Sequence, residues 1–539
     1  MSSINDKFRE TRFAISEKHS IFLKFQDLSG ETKSLKILNV SRRGVATTCD
    51  LSINTEQVLL STEILYENSS EFIGRVYVKR SDDESLAFLL MDRFFPMDKF
   101  SKCFDKKISA KDMLDYELSS DHFNISNFIE ENSNIDLFGK TRKFSKFHEK
   151  WKRNNLYQYE QIKTKASRTF VEIHKMNRNK NYEYIQMGSN DYLGMSTHPK
   201  VLEEAKKAID KFGFGSTGSH YLTGHCSPHK ELSDFLAHSY NKDKCILFSS
   251  GYAANIGAIS ALCTPNDLVV ADILSHGSIY DGISQSSSKA YYYLHNNMGH
   301  FEKILRKNRE NYCGALSITE GIFSMEGTIG DIGNFYELSK EHNTRTFIDE
   351  AHAIGVLGQK GLGAAEEFGL LDDIDLVMGN LSKSLGSIGG FICCSNDLYS
   401  WLMCFSRSRL FSTSIPPAAA MAALAAAKLI FEESDEREKL RSNIRFFIDG
   451  LRSLDIPIQD DHRSAIVPII IKDYKILGLV TEGLSKAGIS VYPIVFPSTS
   501  RTKPRLRFTV CSTHTEEQLA YVVSELSIQI KKHNVDVKI

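Results

Sequence analysis

The hydrophobic pattern changes character twice along the chain. In the first hundred residues apolar and polar positions alternate in short runs, at Ile21 to Phe25, Leu35 to Val40, Val58 to Leu65, Phe72 to Val78 and Leu86 to Met91, with Ser29-Gly30 and Asp82-Asp83 as punctuation. Successive side chains of a strand point to opposite faces, so this spacing predicts several short strands and a small β-barrel or sandwich. Residues 101–150 are rich in Lys, Asp, Asn, Ser and Phe with weak periodicity, which predicts a partly helical linker. From Trp151 onward, helix-like segments alternate with compact apolar runs and Gly-rich joints. Cys245 to Phe248, Leu268 to Ala271, Ala315 to Thr319, Thr346 to Ile348 and Leu376 to Met378 are the runs. That alternation predicts an α/β domain with a largely parallel sheet over residues 151–430, its ligand site beyond the strand ends. The charged, helix-like stretch Glu432 to Arg452 and the strand-like runs Ala465 to Ile471 and Arg505 to Val510 predict a smaller α+β lobe over residues 431–539. No internal repeat is present.

Composition narrows the class. The 539 residues are 42% hydrophobic, 10% aromatic and 25% charged, which excludes a disordered chain and is enough to bury a large core without staples. Lys plus Arg total 66 and Asp plus Glu 67, so there is no basic excess of the kind a nucleic-acid polymer demands. Met1 to Arg12 lack the apolar centre of an export signal. The longest apolar stretch, Ala418 to Phe431, is mostly Ala and broken by Lys428, too short to span a bilayer. The ten cysteines include no C-x-x-C pair, and reduced core thiols in a cytoplasmic protein are expected, with no metal site.

Several segments carry chemistry. Ser249-Ser250-Gly251-Tyr252 follows a strand-like run and opens a helix, so its N–H groups can hold a phosphate, although an ordinary strand-to-helix turn reads the same way. Asp349 ends a strand-like run with His352 three residues on; it suits a pyridinium partner or a helix cap. Asp349-Glu350-Ala351-His352 also spells a helicase box, but the only Gly-Lys-Thr, at 139–141, lacks the glycine of a phosphate loop at Asn134, which rejects that reading. Lys383 stands among small residues in a Gly-rich segment. A buried lysine there loses its charge readily and can form a Schiff base, whereas a single lysine is more commonly a surface charge. His276 lies between Ser275 and Gly277, and Arg507 lies in a strand-like run where a guanidinium can grip a carboxylate.

In this order, SSGYAAN (249–255), SHGS (275–278), EGIFSMEG (320–327), IDEAHAIGVLG (348–358), SKSLGSIGG (382–390), FSTSIPP (411–417) and LRFTVCSTHT (506–515) resemble the α-oxoamine synthases, fold-type I pyridoxal-phosphate enzymes. Gly188 to Gly194 and the Gly-rich stretch Phe212 to Gly224 belong to the same resemblance, which covers roughly Leu156 to Ile530. It implies that Lys383 carries pyridoxal 5'-phosphate, that Asp349 pairs with the pyridine nitrogen, and that His276 stacks on the ring. His352 and Ser324 would bond the ring hydroxyl or its surroundings. Gly251, Tyr252 and Asn380 would hold the phosphate, and Ser412 and Thr413 would reach the phosphate of a neighbouring subunit in a homodimer. Asn190, Arg507 and Ser498 would contact substrate.

The implied reaction condenses glycine, alanine or serine with an acyl thioester, of coenzyme A or acyl carrier protein, and loses CO2 to give an α-amino ketone. Three departures stand out: Asn380 where relatives have Thr three residues before the lysine, Val495 to Thr499 in place of an Arg-Pro-Pro loop, and His220 where many have Arg or Gly. The lysine segment is nearer in style to serine palmitoyltransferases. The alternatives are a fold-type I aminotransferase, and a non-catalytic signalling or scaffold protein that senses a nucleotide.

The first hundred residues carry their own signature. Asn39-Val40-Ser41-Arg42-Arg43-Gly44 fits [DN]-x-S-x-x-G, and with Gly74 to Arg80 and Ala87 to Leu90 the region resembles a PilZ domain. That resemblance implies cyclic di-GMP binding through Arg9, Arg12, Asn39, Ser41 and Gly44, with Arg9 and Arg12 one residue closer than the usual arginine pair. A barrel that only packs on the enzyme is the alternative.

Overall fold

The computed structural model describes residues 138–153, 159–166, 168–175, 180–433 and 435–536, and the backbone of seven strands between residues 13 and 90. The chain divides into two compact units, Met1–Arg153 and Asn154–Ile539.

In the first unit the strands are β1 (Phe13–Ala14), β2 (Phe22–Gln26), β3 (Thr32–Ser41), β4 (Gly44–Thr48), β5 (Val58–Tyr66), β6 (Ser69–Arg80) and β7 (Ser85–Leu90). All pairings are antiparallel. Strand β4 pairs with both β3 and β7, so the ladder runs from β3 through β2, β5, β6, β7 and β4 back to β3, with β1 beside β3. The alternation pattern anticipates five of these strands. It misses β1, which has two residues, and β4, whose single large apolar residue Val45 is too little for a period-two signal. The Asn39 to Gly44 motif spans the end of β3 and the start of β4, with Ser41 opposite Gly44. Arg9 and Arg12 lie outside the described residues, as do the side chains of Asn39 and Ser41. A helix spans Gly139–Arg153.

The second unit begins with a meander, β8 (Ile162–Lys163), β9 (Phe170–Lys175) and β10 (Lys180–Gln186). Its centre is a seven-stranded sheet of β11 (Lys244–Phe248), β12 (Asp267–Asp272), β13 (Lys289–Tyr293), β14 (Gly314–Glu320), β15 (Arg345–Asp349), β16 (Leu376–Asn380) and β17 (Gly390–Cys394), in the order β11-β17-β16-β15-β14-β12-β13. Only β17 runs against its neighbours; the other pairings are parallel. Six strands therefore end on one edge of the sheet. Sheets of this kind bury both faces, which is why β12 and β17 read as continuous apolar runs rather than alternations. Helix Gly251–Leu262 adds Ala254, Ala258 and Ile259 to a core with Ile246, Phe248, Val269, Phe347 and Ile392.

The Ala-rich stretch forms the buried helix Pro417–Glu432, with Pro at its first turn where no N–H is missed. The charged run predicted as one helix from Glu432 is divided. The first helix ends at Glu432, and a second, Asp435–Arg452, starts with Asp435, Glu436 and Glu438 against its positive N-terminal end. No helix among the described residues is long and apolar enough to cross a membrane. The C-terminal lobe has β18 (Ile466–Ile470), β19 (Ile489–Ser490), β20 (Tyr492–Ile494) and β21 (Arg505–Thr509), in an antiparallel sheet β18-β21-β20, while β19 pairs in parallel with β10. Strand β21 is buried along its whole length, which brings two arginines, Arg505 and Arg507, into the interior.

Candidate active site

The chemistry-bearing residues follow the ends of β11, β12, β14, β15 and β16, all on the same edge of the sheet. Asp349 is the last residue of β15 and is 4% exposed. Its carboxylate accepts from Asn255 Nδ2 at 2.7 Å and from the N–H of Ala351 at 2.9 Å. Asn255 also donates to Ser278 Oγ at 2.9 Å, so it bridges the helix after β11 to the helix after β12. His276 caps that second helix: its Nδ1 faces Ser278 Oγ at 2.7 Å, and its backbone N–H donates to Glu320 at the end of β14. The ring of His276 meets Tyr252 edge to face at 6.3 Å between centroids.

Lys383 follows β16. Burial pulls its ammonium down from the ordinary 10.5 to about 8, with Asp349 and Glu320 opposing and Arg507 assisting. Burial also lowers His276. Glu320 is pushed well above the carboxylate range, by burial first and then by the Asp349 charge. Lys383, Asp349, Glu320 and His276 are thus one electrostatic group. The loop that carries the lysine turns at Gly386, whose φ is +60°. A Cβ there would lie 2.3 Å from the backbone nitrogen of Ser196, so only glycine fits.

On the C-terminal side Arg507 Nε donates to the Ser324 carbonyl at 2.7 Å, and its Nη1 donates to Asn190 Oδ1 and Thr509 Oγ1, each at 3.2 Å. Tyr192, fully buried, places its hydroxyl 2.6 Å from His352 Nδ1 and 3.4 Å from Asn190 Oδ1. Burial pushes the Tyr192 phenol up to about 12 and holds His352 well below the ordinary histidine value, with Lys383 and Arg507 adding to the latter. His352 is therefore neutral, and its orientation is set by a neutral phenol.

Opposite lies a donor-rich turn. Ser250 caps the helix by accepting from Ala253 N–H at 3.0 Å, which leaves the first-turn N–H groups of Gly251 and Tyr252 without intrahelical partners. A Cβ on Gly251 would lie 2.7 Å from Asn380 Nδ2, so glycine is what lets the Asn380 amide lie against the helix start. Asn380 Oδ1 accepts from the N–H and hydroxyl of Ser382, at 2.8 and 2.6 Å. Ser412 Oγ donates to Ser249 Oγ of the same chain at 3.1 Å. Amide N–H groups, hydroxyls and a helix N-terminus suit a phosphate. Asp349 suits a protonated ring nitrogen, and the depressed Lys383 amine suits an aldehyde. Together the donor set fits pyridoxal 5'-phosphate.

The structure gathers most of the residues singled out from the sequence: Lys383, Asp349 and His276 on one side, Asn190, His352, Ser324 and Arg507 on the other, Gly251, Tyr252, Asn380 and Ser412 at the turn. Thr413 sits next to Ser412 and bridges to Ser219 through its backbone. Ser498 is exposed, with its N–H donating to the Val495 carbonyl at 3.0 Å; it is its neighbour Thr499 that accepts from Arg505 Nη2, at 2.7 Å. Four partners were not singled out. Asn255 had a usable signal, as the one amide in the largely apolar run Tyr252 to Leu262. Tyr192 and Glu320 stand inside quoted motifs without a role. Arg505 is 3% exposed and ties Glu326, at 3.0 Å, to Thr499.

The comparisons with known proteins agree with this geometry. The family model for aminotransferase class I and II matches residues 182–526. An 8-amino-7-oxononanoate synthase of Treponema denticola is 36% identical over 335 residues, 62% of this chain and 85% of that protein. A serine palmitoyltransferase of Bacteriovorax stolpii is 34% identical over 353 residues, 66% of this chain and 84% of that protein. Among solved structures, the S. paucimobilis serine palmitoyltransferase with bound PLP and myriocin superposes with a TM-score of 0.70 at 29% identity, over 74% of this chain and 99% of that one. The chain belongs to the aminotransferase class I and II family, and it is a pyridoxal 5'-phosphate-dependent enzyme of the α-oxoamine synthase, acyltransferase type.

Proposed function

We propose that this enzyme joins a small amino acid, glycine, alanine or serine, to the acyl group of a thioester of coenzyme A or an acyl carrier protein. A carbon–carbon bond forms at the α-carbon, the acyl carbon–sulfur bond breaks and releases a thiol, and the carboxylate leaves as CO2, which gives an α-amino ketone. Pyridoxal 5'-phosphate supplies the electron sink for negative charge at the α-carbon. Asp349, held by Asn255 and Ala351, is the acceptor for the protonated ring nitrogen. Gly251, Tyr252, Asn380 and Ser412 hold the phosphate. Arg507, braced by Ser324 and Asn190, orients the amino-acid carboxylate. Lys383 Nζ, with its pKa lowered by burial to about 8, takes the α-proton and returns it after CO2 loss. The observation that carries the reading is the lysine of depressed pKa set between two buried carboxylates and the Arg507 guanidinium.

Two further parts of the proposal concern assembly and control. The enzyme works as a homodimer: Phe214, Leu222 and Phe411 are 78, 77 and 77% exposed on the two segments that flank the Ser412–Thr413 turn, and a second copy would cover them. The first unit is a PilZ-like barrel that binds cyclic di-GMP, a reading supported by the Asn39 to Gly44 motif across the paired ends of β3 and β4 and by the ladder that closes on itself. Absorption scans of the purified holoenzyme, with glycine, alanine and serine added singly, test the catalytic reading. A spectral shift with one of them names the amino acid. No cofactor absorption after addition of pyridoxal phosphate overturns it.

A further inference from the structure

Away from the Lys383 group, three imidazoles meet where the Gly-rich segment enters the helix Ser227–Ser239. His220 and His229 are buried and His225 is exposed, and one nitrogen from each lies within 4.8 Å of the others. His220 Nδ1 and His225 Nδ1 are 3.4 Å apart. Two nitrogens on a tetrahedral zinc, each at about 2.0–2.1 Å from the metal, are separated by about 3.3–3.4 Å. His229 has the accompanying outer contact: its Nε2–H donates to the Ile415 carbonyl at 2.8 Å, which fixes the tautomer and leaves Nδ1 as the ligand atom. That Nδ1 now accepts from Cys226 N–H at 3.1 Å, with Cys226 Sγ 3.2 Å away. His220 Nε2 is buried without a partner.

We infer that His220, His225 and His229 form a site for a first-row transition-metal dication, zinc in the first place, bound by three imidazole nitrogens with a fourth position for water or the Cys226 sulfur. Neutral imidazole is the form that binds metal, and His229 is in it: its Nε2 donates to a carbonyl while its Nδ1 accepts from an N–H. No carboxylate belongs to the cluster, so magnesium and calcium, which need oxygen ligands, are excluded. The charge of the buried Arg409 opposes a dication and acts on His220 and His225. The site therefore draws its affinity from metal–nitrogen bonding, strongest for zinc, copper, nickel and cobalt. A bound metal would join the segment 218–226 to the helix start and, through His229, to Ile415. The Ser414 N–H already donates to the Gly218 carbonyl at 3.0 Å across the same junction. The role is structural: it clamps the turn that carries Ser412.

The test uses the full-length holoenzyme, stripped with a chelator, desalted and titrated with Co2+ and then Zn2+. The expected result is one Co2+ per chain with visible ligand-field absorption, displaced by Zn2+, and no response to Mg2+. His225→Ala changes an exposed side chain that caps no helix; it should fold and bind about tenfold or more weakly. Zn2+ should raise the melting temperature of the native chain and of Lys383→Ala, but not of His225→Ala. Absence of stoichiometric binding, or equal binding by His225→Ala and His220→Ala, overturns the inference.

Discussion

Lys383 is held in a place that suits chemistry and not stability, and the cost can be worked out. Its pKa is about 8 in the folded chain against an ordinary 10.5. Below pH 8 the folded state must bind the lysine proton in an environment that disfavours it, whereas the unfolded chain binds it freely. The difference of about 2.5 units at about 1.36 kcal/mol each gives a penalty near 3 kcal/mol at pH 7. Between pH 8 and 10.5 the unfolded state carries more protons, so stability rises with pH and the penalty shrinks, to roughly 1.5 kcal/mol at pH 9.5. Lys383→Met keeps an unbranched apolar chain and removes the charge. The apo variant should therefore be more stable than the apo native protein by about 3 kcal/mol at pH 7 and by about half that at pH 9.5. Urea unfolding of both apoproteins at the two pH values measures this. A Met variant that is less stable at pH 7, or a difference that does not fall with pH, refutes a desolvated lysine.

Gly251→Ala places a Cβ 2.7 Å from Asn380 Nδ2 and 3.0 Å from Met378 Cε. Overpacking of this kind costs about 1–3 kcal/mol, so cofactor affinity in a titration of the apoenzyme should fall by about tenfold or more. Asn255→Ala removes the donor 2.7 Å from Asp349. A hydrogen bond to a charged group is worth about 1.5–3 kcal/mol, and the loss should appear as a lower melting temperature of the apoenzyme at pH 7. Arg507→Met removes the guanidinium bonds to the Ser324 carbonyl and Asn190 Oδ1, leaving the latter only the longer bond from Tyr192, and should raise the KM for the amino acid by about 10–100-fold. Equal loss in kcat with an unchanged KM would instead assign Arg507 to the transition state.

The sequence displays the large unit well because its strands are buried on both faces and several, Cys245 to Phe248 and Leu268 to Ala271 among them, read as unbroken apolar runs. Strands such as Ala315 to Thr319 and Thr346 to Ile348 lie within one or two residues of β14 and β15. The site is legible for the same reason: Asp349, Asn380 and Lys383 come at or just after strand ends, where a parallel sheet puts its ligand. What pattern alone does not show is pairing between distant segments. Tyr192 and His352 are 160 positions apart, and Asn190 and Arg507 are 317 apart. The imidazole cluster is hidden for another reason. Its spacing, five residues and then four, falls within ordinary histidine-ligand spacing, but such spacing makes a site only where the backbone gathers the rings, and here the turn of the Gly-rich segment folds His220 back onto His229. In the first unit β4 escapes because its pairing with β3 and β7 rests on backbone bonds, which composition does not report.

Carbon and sulfur balance tests the central claim most directly. The purified enzyme with pyridoxal phosphate, the amino acid that shifts its spectrum, labelled at the carboxyl carbon, and an acyl coenzyme A should release labelled CO2 and free thiol in a one-to-one ratio. Neither should form in Lys383→Ala. Conversion of the amino acid to an oxo acid with no thiol and no CO2 would contradict the condensation and make the protein an aminotransferase.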